Sequence, residues 1–342
     1  MKKTLTLALT LFGVALFCFL TLRAGIHPIV VTLSKVGLGG FGLLIAGQLV
    51  LDVGLGCAWK VAVPEIAFLR LVAARAVRDA AGTCLPFSQL GGMILGVRAT
   101  VAGHPRLIPS GAPLTWPEAV AATLVDITTE VLAMIVFVIL AILCLIGHQD
   151  AGRFIWPLLI GMGLLSLGMA GFVWTQQQGG TLLTRAAHFF ARHISEGWQG
   201  SLIKNTQAFR SFLDRLWSRP GRIAGGSAVH LLCWCGSAGL AWLGLLLLGA
   251  HLTYFDAVSI EGVVCGIMAA GFMVPAALGV QEGAYVALGL VFGISADIML
   301  SLSLLRRGRE IVVGIPILLL WQLYEMYHLR QQKHQPPSQP SP

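Results

Sequence analysis

The part of the sequence that most constrains the fold is residues 274–310, a stretch apolar enough to lie in a bilayer. Pro275, Gly279 and Gly283 interrupt it around one acid, Glu282. Proline removes a backbone donor and glycine relaxes a helix, and lipid cannot bind the polar groups that such a break leaves free. Either a kinked helix packed inside protein or a broken, re-entrant helix around a polar site satisfies those groups. We favour the second structure, which many transporters use.

The composition of the whole chain indicates a membrane protein. Of the 342 residues, 56% are hydrophobic and 11% are charged, and the mean hydropathy is +0.81. Soluble domains carry about a quarter charged residues. The basic residues behind the net charge of +8 cluster in loops, which fits the positive-inside rule and an anionic lipid surface rather than nucleic acid. We therefore expect an all-α polytopic membrane protein with no nucleic-acid partner.

Six apolar segments are long enough to cross a bilayer. The first follows Lys2 and Lys3 without a signal-peptide cleavage motif, so it is expected to be retained, with a cytoplasmic N-terminus. The polar, proline-rich tail at 331–342 is expected to be disordered and cytoplasmic. The expected spans are 5–22, 36–59, 118–146, 154–174, 223–250 and 296–327.

Two other segments predict re-entrant hairpins, because they are too polar or too broken to span. They are residues 68–98 and residues 257–294. At 1.5 Å per residue, the second arm of the later hairpin reaches only ~18 Å, whereas the hydrocarbon core is ~30 Å thick. The predicted turn residues are Pro86, Gly91 and Gly92 in the first hairpin and Pro275, Gly279 and Gly283 in the second.

The order of these elements repeats within a single membrane domain, 1–330. Residues 36–146 and 223–328 each read as a span, a broken hairpin and a long helix with charges. The basic segment between the halves is expected to be cytoplasmic, which gives the spans at 36–59 and 223–250 opposite orientations. The sequence thus predicts an inverted repeat, the plan of alternating-access transporters.

The segment at 176–222 contains seven Lys and Arg residues and two acids. Helical spacing places five large apolar residues on one face, which predicts an amphipathic helix at the cytoplasmic membrane surface. A soluble linker is the alternative. The five residues are Phe209, Phe212, Leu213, Leu216 and Trp217.

Charged residues inside spans mark a pathway or an ion pair. Asp126 and Glu130 share one face of their helix, and Arg306, Arg309 and Glu310 share a face of the last helix. We expect the two sets to meet across the halves, either as structural pairing or as a site for a lipid headgroup.

The sequence contains no G-x-S-x-G, H-E-x-x-H or P-loop motif, so no enzymatic activity is expected. The seven cysteines lie mostly in apolar runs without ligand spacing, and we expect neither a metal nor a cofactor. His230 is alone in its span, where a packed histidine is favoured over a proton relay.

The motifs around these residues resemble the transmembrane, flippase-like family of lysylphosphatidylglycerol synthases, and within it the membrane proteins associated with hopanoid biosynthesis. The most specific part of the resemblance is the motif P-x-x-L-G-x-Q-E-G with the arginines downstream of it. This motif adds Gln281, beside Glu282, to the expected site residues. The first hairpin adds Gln89, but it has Met93 where the family tends to carry an acid. The matching segments are 85–92, 125–131, 274–283 and 305–310.

The resemblance implies translocation or export of a lipid, a hopanoid or a phospholipid, in the bacterial inner membrane. A non-catalytic scaffold for hopanoid-biosynthesis proteins is one alternative. The other is a membrane-embedded transferase that uses Glu282 or Asp126 as a general base. The substrate-binding residues expected for lipid movement are Gln89, Asp126, Glu130, Gln281, Glu282, Arg306, Arg309 and Glu310.

Overall fold

The computed structural model describes residues 26–85, 88–102, 114–146, 152–191, 196–270 and 280–334. Within these ranges the chain forms ten α-helices and no strand, so the all-α prediction is confirmed. The helices are α1 (Ile26–Ala62), α2 (Phe68–Cys84), α3 (Ser88–Ala102), α4 (Trp116–Leu145), α5 (Gly152–Ala191), α6 (Glu196–Trp217), α7 (Pro220–Leu247), α8 (Tyr254–Ala270), α9 (Val280–Val291) and α10 (Ala296–His334).

Five helices of the described part are long and apolar enough to cross a membrane, and each coincides with a predicted span. The segment at 5–22 and the tail from 335 lie outside the described residues. A kink at Gly37, whose φ is +70°, divides α1 just after the start of its spanning part. The spanning segments are Ser34–Ala62, Trp116–Leu145, Ile155–Trp174, Pro220–Leu247 and Ala296–Tyr327.

Two pairs of short helices, α2 with α3 and α8 with α9, lie where hairpins are predicted. Their turns, with Pro86, Pro275 and Gly279, lie outside the described residues. The glycines Gly91, Gly92 and Gly283 were predicted at the turns, but the structure places them inside α3 and α9.

Close helix packing explains Gly92 better than a turn does. A Cβ on this residue would lie 2.7 Å from the carbonyl oxygen of Arg78 on α2. Glycine therefore lets the two helices of the first pair approach each other closely, a use of small residues that is common between membrane helices.

The two halves pack alike. In chain order, α1, α2, α3 and α4 correspond to α7, α8, α9 and α10. α4 packs on α8 as α10 packs on α2, and α4 packs on α7 as α10 packs on α1. α1 and α7, which are counterparts, pack on each other. Replacing each helix by its counterpart therefore gives the same set of helix contacts.

α1 and α7 run antiparallel along their contact. Near one end Gly225 lies against Val61, and near the other end Gly40 lies against Leu247. Residue numbers therefore rise along α1 as they fall along α7. Because these helices hold the same position in the two halves, the halves have opposite directions, as an inverted repeat requires.

The packing of α4 on α8 depends on Gly262. A Cβ on this residue would overlap the methyl group of Ala141, which has no rotamer to move away. We expect Gly262→Ala to lower the free energy of unfolding by about 1–3 kcal/mol, the usual cost of overpacking. Thermal unfolding in detergent measures it, and Gly161→Ala on α5 is the control, since its added methyl would meet open space. Equal stability of the two variants would contradict this packing.

The apolar face of α6 is covered by protein. Phe212, Leu213 and Leu216 are buried against a core that includes residues of α1, α2 and α4. The predicted amphipathic helix is present, and its stripe packs on protein rather than on lipid, whereas its cytoplasmic position stays a prediction. The sequence pattern cannot distinguish the two because lipid and a protein core favour the same apolar face.

Candidate functional site

A buried network of charges joins α2 to α4 in the first half. The Arg75 guanidinium lies 2.9 Å from Asp126 and 2.5 Å from Glu130, and its Nε donates to Asp79 at 2.6 Å. Arg78 reaches the same two acids of α4 at 2.7 and 2.8 Å. Arg75 and Asp126 are almost fully buried. We call Arg75, Arg78, Asp79, Asp126 and Glu130 the first-half cluster.

A second network joins α8, α9 and α10. Arg306 forms an ion pair with Glu261 and another with Glu310, the latter at 3.1 Å. Tyr285 donates its hydroxyl to Glu261 at 2.7 Å and accepts from Arg306 at 2.9 Å. The Ser237 hydroxyl of α7 donates to Glu261 at 3.1 Å. Glu261 is 1% exposed, so all of its charge is balanced inside the protein.

The two networks share two equivalent positions at which the charge is inverted. Arg75 is the eighth residue of α2, and Glu261 is the eighth residue of α8. Asp126 is the eleventh residue of α4, and Arg306 is the eleventh of α10. At these positions each half therefore has an ion pair between its first hairpin helix and its long helix, with the acid and the base exchanged.

The predicted contact across the halves is wrong. Asp126 and Glu130 pair with arginines of their own half, and Arg306 pairs with Glu261 of its own half. The polar start of the first hairpin folds inwards, and its arginines satisfy both acids of α4. A buried charge needs such a partner because its desolvation is costly.

The structure moves Glu282 from the predicted turn into the first turn of α9. Arg307 of α10 lies 2.7 Å from its carboxylate. Gln281, 3% exposed, donates to the hydroxyl of Ser303 on α10 at 2.9 Å. Both residues therefore join the second hairpin to the last helix. We call Glu261, Glu282, Glu310, Arg306, Arg307 and Arg309 the second-half cluster.

Arg309 differs from the other arginines of the second-half cluster. Its side chain is 6% exposed, and its Nε has no hydrogen-bond partner among the described residues. It lines a small cavity, with room for about one water molecule, together with Ser237, Tyr285 and Arg306. A buried guanidinium beside a polar cavity can bind an anion or a hydroxyl group.

Sequence reasoning missed several members of these networks. Arg75, Arg78 and Asp79 fall in the first predicted hairpin, and Glu261 and Tyr285 fall in the second. Glu261 is the only charged residue of α8 beyond its first turn, and that isolation is the signal that could have identified it. The side chain of Gln89 lies outside the described structure.

These elements define a class of protein: a polytopic, all-α membrane protein made of two antiparallel halves around buried charges. The chain belongs to the family described as the lysylphosphatidylglycerol synthase TM region, which matches residues 4–317. No curated protein and no solved structure matches it. Its family makes it a membrane protein related to lipids.

Proposed function

We propose that the protein moves a lipid between the leaflets of the bacterial inner membrane and performs no chemistry on it. The observation that carries this proposal is the pair of charge-inverted ion pairs, each at a short helix pair of an inverted half. Membrane proteins keep buried charges where a polar group passes or where elements that move are held together. Inverted halves allow one arrangement to open to either side.

The headgroup of the lipid would bind at Arg309 in a state in which the halves open, because the cavity in this structure holds only about one water molecule. A headgroup that enters the bilayer loses water, and a buried donor such as the Nε–H of Arg309, which has no partner among the described residues, replaces a lost hydrogen bond. An unmodified hopanoid has little need of such donors. A phospholipid or a hopanoid with a polar headgroup therefore fits the site better, and a hopanoid of that kind would associate the protein with hopanoid biosynthesis.

The test uses purified protein in liposomes with one labelled lipid, either a phospholipid or a hopanoid with a polar headgroup. We expect the label to reach the other leaflet unchanged, at a rate above that of empty liposomes. A new covalent product would instead indicate a transferase. If the label neither moves nor changes chemically, a scaffold is favoured. Either result, a new product or no movement, would overturn the proposal.

A further inference from the structure

Arg70, in the first turn of α2, is a buried cation that belongs to neither cluster. It is 3% exposed, and its Nη2 donates to the backbone oxygen of Val101, near the end of α3, at 2.6 Å. Its Nε and Nη1 have no hydrogen-bond partner in the part of the chain that the structure describes. An arginine stays charged inside a protein, so two charged donors lie here without an acceptor from those residues.

The chain offers Arg70 no carboxylate. None of the described acids forms an ion pair with it, whereas Arg75 and Arg306 each face a buried acid. The sequence that follows α3, residues 103–113, contains no Asp or Glu, and neither does the sequence of residues 1–25. A buried charge without a counter-charge is costly. An anion from outside the chain would supply the missing partner.

Arg70 lies at the level where lipid headgroups are found. It interacts electrostatically with Tyr324 of α10, and the spanning part of that helix ends at Tyr327. The ring of Tyr324 stacks on Trp321 with 5.6 Å between centroids, and such aromatic residues are enriched at the membrane–water interface. Lys60, in the last turn of α1, predicts that this end of the protein is cytoplasmic.

A second arginine lies on the exposed side of the same corner. Arg98 precedes Val101 by one turn of α3, and its side chain is 44% exposed. Its Nε lies 2.7 and 2.9 Å from the two carboxylate oxygens of Glu325, the residue after Tyr324. Among the described residues, Glu325 is the one acid that pairs with either arginine, so the corner keeps an excess of positive charge.

We propose that Arg70 and Arg98 form a binding site for a phosphate group, supplied by a phospholipid of the cytoplasmic leaflet or by free phosphate. Phosphate carries several charged oxygens, and arginine is well suited to bind them. The phosphate binds the exposed Arg98 first, and a rotation of the long Arg70 side chain brings its free donors to the same group. The site is separate from Arg309 and does not require that the protein moves a lipid.

Binding is measured by the thermal unfolding of the purified protein in detergent, because a ligand of the folded state stabilises it. The probes are a short-chain phosphatidylglycerol, a diacylglycerol with the same chains and inorganic phosphate. We expect the phospholipid to stabilise the protein and the diacylglycerol to have no comparable effect. Stabilisation by inorganic phosphate would support the site with the free ion as ligand. Equal effects of the two lipids, with none from inorganic phosphate, would overturn the site.

Variants locate the binding at Arg70. Arg70→Gln is expected to weaken phospholipid binding about 10- to 100-fold, the equivalent of one charge-assisted hydrogen bond. Arg210→Gln, at an exposed arginine of α6, is the control and should keep the wild-type affinity. If Arg70→Gln does not fold, Arg70→Lys keeps the charge with a different donor geometry and should show a smaller loss. Unchanged affinity in the variant that folds would overturn the site. An absence of lipid movement in liposomes would remove the proposed function and leave this result in place.

Discussion

Replacing Arg306 with methionine is expected to lower the free energy of unfolding by about 3–5 kcal/mol. Methionine keeps much of the volume but removes the charge opposite Glu261, a carboxylate that is 1% exposed. Hydroxyl groups of Tyr285 and Ser237 still bind this carboxylate, but neither neutralises it. Thermal or denaturant unfolding of the purified protein in detergent measures the loss.

The control removes the second charge as well. Glu261→Gln keeps the shape and can accept the same hydroxyl groups, so the double variant Arg306→Met with Glu261→Gln leaves no buried charge unpaired. We expect it to be more stable than Arg306→Met alone, because the cost comes from the unpaired carboxylate. If the two losses simply add, the residues are not coupled and the assigned ion pair is wrong.

Replacing Arg309 with glutamine is expected to slow lipid movement about 10- to 100-fold with little loss of stability. A charge-assisted hydrogen bond contributes about 1.5–3 kcal/mol, which corresponds to that range of rates. Stability should hold because the change removes a buried charge that has no ion pair in the described part of the protein. Liposome flux and unfolding of the same preparation measure the two effects.

Arg307 provides the matched control on the same helix. It forms an ion pair with Glu282 at 2.7 Å, so Arg307→Gln should lower stability by leaving that carboxylate unpaired. The two neighbouring variants thus separate a residue of the lipid site from one that joins helices. An Arg309→Gln protein with normal lipid movement would remove Arg309 from the site.

Length and hydropathy predict the helical architecture of this chain well. A spanning helix needs about 20 apolar residues, and this requirement alone locates α1, α4, α7 and α10. The hairpins were predicted from the residues that break them. Their exact turn residues were not, because a glycine such as Gly92 serves equally for a turn and for close helix packing.

The pairing of charges is much harder to predict from one sequence. Asp126 and Glu130 were identified as site residues because acids are rare in spans, but their partners lie on α2, about fifty residues earlier. Only the packing of α2 against the long helices brings these side chains together. The inverted positions of Arg75 and Glu261 become visible only when the helix boundaries are known.

The central claim, two halves of opposite orientation, is tested most directly by labelling one end of each half. The loop after α1 and the loop after α7 are counterparts, and Glu65 and His251 are exposed within them. Lys60, Arg219 and Arg222 lie near Glu65, which predicts a cytoplasmic position there. In intact cells, a membrane-impermeant reagent should label Cys in His251→Cys, and it should label Glu65→Cys only after permeabilisation. Labelling of both from the same side would contradict the inverted arrangement.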